Sequence, residues 1–173
     1  MIEIIPFSEK YRQDVVDVIL HVLQSEFGFA VTLDQQPDLL DIPNIYQKDS
    51  GNFWIALSDG VVVGTISLLI IGNGRGALRR MFVKESFRGK TYGLARSLLD
   101  ALLQWCLTIG VREVYLGTTE KFLAAHRFYE KNGFTEIQKP ALPSRFPGMT
   151  GDTKFYKFTL REEAAQHGTA VDG

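Results

Sequence analysis

Apolar and polar positions along the chain alternate with two periods, and the points where the period changes mark the elements. Residues 2 to 5, Ile-Glu-Ile-Ile, read as a short strand. After Pro6, with Ser8 as N-cap, a helical pattern runs to about Gly28. Val15, Val18, Ile19, Val22 and Leu23 form one stripe of it, and Asp14, Asp17, His21 and Gln24 the opposite face. Residues 35 to 49 hold a weaker helical stretch interrupted by Pro37 and Pro43, with an acidic flank of Asp34, Asp38 and Asp41. Asn52 to Leu57 and Val61 to Ile71 are apolar and β-branched, and the Asp59-Gly60 pair between them predicts a hairpin. Ala77 to Lys84, after the glycine-rich turn Gly72 to Gly76, predicts a third antiparallel strand.

From Tyr92 to Ile109 the set Leu94, Ala95, Leu98, Leu99, Leu102, Trp105, Cys106 and Ile109 has helical period, and Gly110 ends the helix. Glu113 to Thr118 predicts a strand, Phe122 to Lys131 a helix stopped by Asn132-Gly133, and Phe134 to Gln138 a strand. A proline-bearing loop, Lys139 to Gly151, leads to a last strand, Thr153 to Leu160. The order β-α-α-β-β-β-α-β-α-β-β predicts an α/β (α+β) fold. In it an antiparallel meander hands over to a strand-helix-strand unit whose strands can run parallel. One domain over 1–160 and a flexible tail over 161–173 are expected.

Composition narrows the partners. The chain has 173 residues, long enough for one full apolar core without a metal or disulfide staple. Its one cysteine, Cys106, excludes an internal disulfide and fits a reducing, cytoplasmic setting. A net charge of -1 lacks the basic excess of a protein held on nucleic acid or anionic lipid. Three scattered histidines give no metal pattern, and the N-terminus shows no signal peptide. A monomer or homodimer free of nucleic acid and membrane is expected.

Chemistry concentrates between Met81 and Leu99. A strand there meets the turn Arg88-Gly89-Lys90-Thr91-Tyr92-Gly93 and then a long buried helix. The unpaired N–H groups and positive dipole end of such a helix make an anion site, and glycines let backbone approach a phosphate. The same glycines also serve a plain tight turn. Gly89-Lys90-Thr91 copies the end of a P-loop, but Lys84 stands where that motif wants glycine, which weakens a phosphotransferase reading. Gly72 to Gly76 has no helix after it and is read as a hairpin loop rather than a dinucleotide site.

The turn Arg88-x-x-Thr91-x-Gly93, followed later by Ala125-x-x-Phe128-Tyr129-Glu130-Lys131-x-Gly133-Phe134, resembles the GNAT family of N-acetyltransferases. The element order matches that family from Ile2 to Leu160. The resemblance implies a mixed, mostly antiparallel sheet flanked by helices, with acetyl-CoA as co-substrate, no metal, and a small-molecule or peptide amine as acceptor. It implies that Met81, Phe82 and Val83 run beside the pantetheine arm and that one of their amides meets the thioester oxygen. It also implies that Arg88, Gly89, Lys90, Thr91, Tyr92, Gly93 and Leu94 bind the phosphates and that Tyr129 protonates the departing thiolate.

Three positions depart from the family pattern. Thr91 replaces the usual first glycine of the turn, Phe122 replaces an asparagine that contacts the cofactor, and Gly117 stands where some members carry a glutamate base. The general base is thus open between Glu120, Asp152 and a water relay. Arg79, Arg80 and Arg145 are cations available to an acidic acceptor, and Asp34, Asp38, Asp41 and Asp152 carboxylates available to a basic one. A non-catalytic acyl-CoA-binding module is the remaining alternative.

Overall fold

The computed structural model describes residues 1–149 and 151–161. Its strands are β1 (Ile2–Pro6), β2 (Asn52–Ser58), β3 (Val61–Gly72), β4 (Arg75–Val83), β5 (Glu113–Thr118), β6 (Thr135–Ile137) and β7 (Lys154–Thr159). The α-helices are α1 (Arg12–Leu20), α2 (Ile42–Tyr46), α3 (Leu94–Ile109) and α4 (Leu123–Lys131). The strands form one mixed, mostly antiparallel sheet in the order β1-β2-β3-β4-β5-β7-β6. The sheet and element order agree with the sequence reading. The expected tail lies outside the described residues except for Arg161.

The described residues fall into two compact units: Met1–Ile70 with Leu78–Gln104, and Ile71–Ala77 with those from Trp105 to Arg161. In the first, β1 pairs antiparallel with β2 from Ile2 opposite Ser58 to Pro6 opposite Trp54. Pro6 ends an edge strand, where its missing N–H leaves no gap in a ladder. Asp59 and Gly60 take positive φ of 49° and 84°, the backbone that a two-residue hairpin turn needs. Val15 and Ile19 of α1, Ile42 and Tyr46 of α2, and Phe53 and Ile55 of β2 are fully buried in one cluster. Each such side chain contributes roughly 1.5–3 kcal/mol. A Cβ on Gly64 would come within 3.1 Å of Leu98 and 3.5 Å of Leu94, so the missing side chain lets α3 lie close on β3.

Two predicted helices differ from the observed ones. The stretch from Ser8 to Gly28 is a 3-10 turn (Glu9–Tyr11), then α1, then a widened π turn (His21–Glu26). Ser8 caps through its carbonyl, which accepts the Tyr11 N–H at 3.0 Å, and not through its hydroxyl. Residues 33 to 46 form two 3-10 turns, Leu33–Gln35 and Pro37–Leu40, and then α2. Pro37 and Pro43 fall in first turns, where a missing N–H costs nothing, so they open these pieces instead of interrupting one helix.

In the second unit, Arg75–Ala77 of β4 pairs in parallel with Glu113–Tyr115 of β5. β7 lies antiparallel to both β5 and β6. α4 buries His126 and Tyr129. Tyr129 packs on Phe134 and Tyr156 at ring distances of 5.4 and 5.7 Å, and Phe134 on Phe158 at 5.2 Å.

Candidate functional site

Between β4 and α3 the backbone makes a 3-10 turn, Glu85–Phe87, and then the Arg88–Gly93 turn. Gly89 and Gly93 have φ of +97° and +56°, and the Gly93 N–H reaches the Gly89 carbonyl at 3.3 Å. A Cβ on either glycine would meet nothing within 4 Å, so open space lies against the backbone at both positions. Thr91 is not among the residues with positive φ, which is why the turn accepts its side chain. Lys90, Thr91 and Tyr92 are exposed, Leu94 is buried, and Phe87 and Tyr92 pack at 4.9 Å. The sixteen residues of α3 begin at Leu94, adding the positive end of a long helix to this turn. Such a cradle suits a diphosphate.

The Arg88 guanidinium is engaged elsewhere. Its Nε donates to the Val83 carbonyl at 2.8 Å, and its two Nη atoms meet the Glu26 carboxylate at 2.7 and 2.9 Å. Arg88 thus ties the turn to the end of β4 and to the widened turn after α1. Met81 and Phe82 are half-buried, and Val83 is buried.

β4 is kinked just before Met81. Arg80 has φ +55°, a conformation that costs a non-glycine residue of order 1–3 kcal/mol. The hydroxyls of Ser67 and Thr65 on β3 donate to the carbonyls of Arg79 and Arg80, each at 2.7 Å. The Arg80 side chain, 3% exposed, grips Asp38 through Nε at 2.8 Å and Nη2 at 2.6 Å, and Tyr46 donates its hydroxyl to Asp38 at 2.6 Å. Burial opposes the Asp38 charge, but the Arg80 bonds and charge, the Tyr46 hydroxyl and the Arg79 charge outweigh it and hold this carboxyl below its usual range. Burial pushes the Tyr46 hydroxyl up, so it stays neutral. Asp38 is therefore a buried counter-ion and not a surface carboxylate for a basic acceptor. Sequence reading missed this pair. Its one sign was two consecutive arginines inside an otherwise apolar strand.

In the second unit, a Cβ on Gly117 would lie 2.5 Å from Oδ2 of Asp152. That same oxygen accepts the Met149 N–H at 3.0 Å. Glu120 is exposed, and its N–H donates to the Thr153 hydroxyl at 3.2 Å. Tyr129 is 6% exposed, and burial raises its hydroxyl so that it keeps its proton at neutral pH. Arg145 Nη1 would stand 2.6 Å from a Cβ on Gly72. Phe122 precedes α4 as its N-cap residue without a side-chain cap bond. Cys106 is buried and its thiol pushed up to about 12 by burial, which makes it core rather than nucleophile.

No His, Cys, Asp or Glu cluster among the described residues has metal-site geometry. No described helix is long and apolar enough to cross a membrane.

Comparison with known proteins agrees with this layout. A crystal structure described as an acetyltransferase of the GNAT family from Staphylococcus aureus Mu50 superposes with a TM-score of 0.89 at 36% identity, covering 93% of this chain and 100% of that one. A Thermoplasma acidophilum PaiA N-acetyltransferase in complex with coenzyme A, at 18% identity and a TM-score of 0.72, shares the fold over 92% of this chain and 99% of its own. The N-acetylaspartate synthetase of Danio rerio is 36% identical over 115 residues, 65% of this chain and 40% of that protein, so the chain spans about two-fifths of that relative's length. The model of the acetyltransferase (GNAT) family matches residues 16–134, and the chain belongs to that family.

Proposed function

We propose that the chain moves an acetyl group from acetyl-CoA to the amine of a small molecule by direct attack within a ternary complex. The observation that supports this most is the Arg88–Gly93 turn, with two positive-φ glycines facing open space at the start of α3. Bound acetyl-CoA supplies an activated acetyl thioester. The amides of the Gly89–Leu94 segment, Thr91 among them, and the Lys90 ammonium hold its diphosphate, and Arg88 fixes the turn from behind. Met81, Phe82 and Val83 line the arm, and an amide after the Arg80 kink donates to the thioester oxygen, where negative charge grows. Holding both reactants in register supplies most of the acceleration.

Tyr129 Oη, protonated at neutral pH, gives its proton to the sulfur as the C–S bond breaks and regains one from solvent before the next turnover. Asp152 is the base that takes the amine proton, in preference to Glu120. Its carboxylate fills the room beside Gly117, the strand position at which the resemblance implies a glutamate base in some members. The chemistry needs no metal, because a CoA thiolate is already a fair leaving group. We place the protein in the cytoplasm, acting as a monomer or homodimer.

The test is a melting curve with acetyl-CoA, followed by CoA release over a panel of amines. A ligand at 100 times its Kd adds about 2.7 kcal/mol of stability, enough for a clear shift. Acetyl-CoA should raise Tm, and ATP with magnesium should not. A shift with ATP instead would favour a phosphotransferase, and binding without CoA release would favour a non-catalytic module.

A further inference from the structure

Arg79 and Arg80 are consecutive on β4, and a regular strand would send them to opposite faces. The positive φ of Arg80 breaks that alternation. Both side chains reach the Asp38–Tyr46 cluster: Arg80 through its two bonds to Asp38, and Arg79 with its guanidinium carbon 6.0 Å above the Tyr46 ring. Both Asp38 oxygens are taken, Oδ1 by Arg80 and Oδ2 by Arg80 and Tyr46. Since the Tyr46 hydroxyl stays neutral, the cluster holds two cations against one anion. The Nε of Arg79 is buried and has no hydrogen-bond partner among the described residues. A buried donor without an acceptor is costly and rare, and it fits a ligand that supplies the acceptor.

We propose that Arg79 binds the carboxylate of the acetyl acceptor, so that the acceptor is an amino acid; this rests on the acetyl-transfer reading above. The Nε–H and neighbouring Nη–H of an arginine form a planar fork that matches a carboxylate. Arg79 stands two residues before Met81 on β4, across the Arg80 kink. The anion and the reacting amine are thus kept within one small molecule, as in an amino acid. A polyamine offers Arg79 nothing. Arg80, already neutralised by Asp38, is the support that sets the kink.

The test measures acetyl-CoA-dependent CoA release from the whole chain with the twenty L-amino acids, their amides, spermidine and phosphoethanolamine. Binding of the best amino acid to the CoA-saturated protein is followed by calorimetry as a readout free of turnover. At least one amino acid should exceed its own amide by about 10-fold or more in kcat/KM. Arg79→Gln should raise the KM for that acid by about 10- to 100-fold, with kcat and acetyl-CoA affinity little changed and the amide unaffected. Arg79→Lys, which keeps the charge and loses the fork, should fall between. Preference for amides or spermidine, or equal losses on acid and amide in Arg79→Gln, would overturn the assignment, and the wild-type comparison decides even where a variant fails to fold. Preference for phosphoethanolamine would overturn the carboxylate. Acetyl-CoA binding with no dependence on the carboxylate removes the role of Arg79 alone, whereas failure to bind acetyl-CoA removes the parent reading and this one with it.

Discussion

Asp152 places Oδ2 2.5 Å and Cγ 2.8 Å from the point where a side chain on Gly117 would start. The carboxylate fits only because the strand has no side chain there. Gly117→Ala should therefore push Asp152 out and lower kcat/KM by about 100-fold or more, as Asp152→Asn should. The check is initial rate at saturating acetyl-CoA, in which both variants should fall together while acetyl-CoA affinity holds. Equal rates for wild type and Asp152→Asn would return the proton to Glu120 or to water.

The turn makes a sharper contrast. Gly93→Val strains a φ of +56° and fills the open space against the backbone, so it should abolish acetyl-CoA binding in calorimetry. Thr91→Gly should leave affinity unchanged or tighter, because Thr91 is not held at positive φ. A circular dichroism spectrum matching wild type establishes that Gly93→Val is folded. Unchanged affinity in that folded variant would refute the cradle.

Tyr129→Phe keeps the ring between Phe134 and Tyr156 and removes only the hydroxyl. Stability and acetyl-CoA affinity should hold, while kcat and kcat/KM fall together by about 10- to 100-fold. Wild-type turnover in this variant would make Tyr129 a packing residue.

Acid should weaken the fold through two carboxylates. Burial opposes the charge of Glu113, but its bonds to Lys157, Arg75 and Tyr115 pull it down to about 2. Asp38 is also held below its usual range. Both pKa values are depressed in the folded state. The stability they add is present above their ordinary values, about 3.9 for Asp and 4.3 for Glu, and is lost as pH falls toward 2. Urea midpoints between pH 6 and 2 should decline, and less steeply in Glu113→Gln. Asp38→Asn should cost about 3–5 kcal/mol at neutral pH, because it strands the Arg80 charge.

The meander, the long α3 and the motif turn could be read from local signals: alternation in β2 and β3, the Asp59-Gly60 pair, and the apolar stripe from Leu94 to Ile109. What could not be read depends on distant partners. Nothing local distinguishes Asp38 from Asp34 or Asp41, yet only Asp38 meets an arginine 42 positions later. Asp152 could be named as a base, but its place against Gly117 depends on how a proline-bearing loop closes. Pro37 and Pro43 misled because a proline that starts a turn looks the same in sequence as one that breaks a helix.

The Glu26–Arg88 bond joins residues 62 positions apart. Contacts of such separation require closure of a long loop, whose entropy must be met before the contact rewards it. Arg88 therefore gains this partner only when the segment ending at Glu26 has docked beside the turn. A fragment beginning after residue 26 would carry every residue of the Arg88–Gly93 turn and still lack the carboxylate that anchors it.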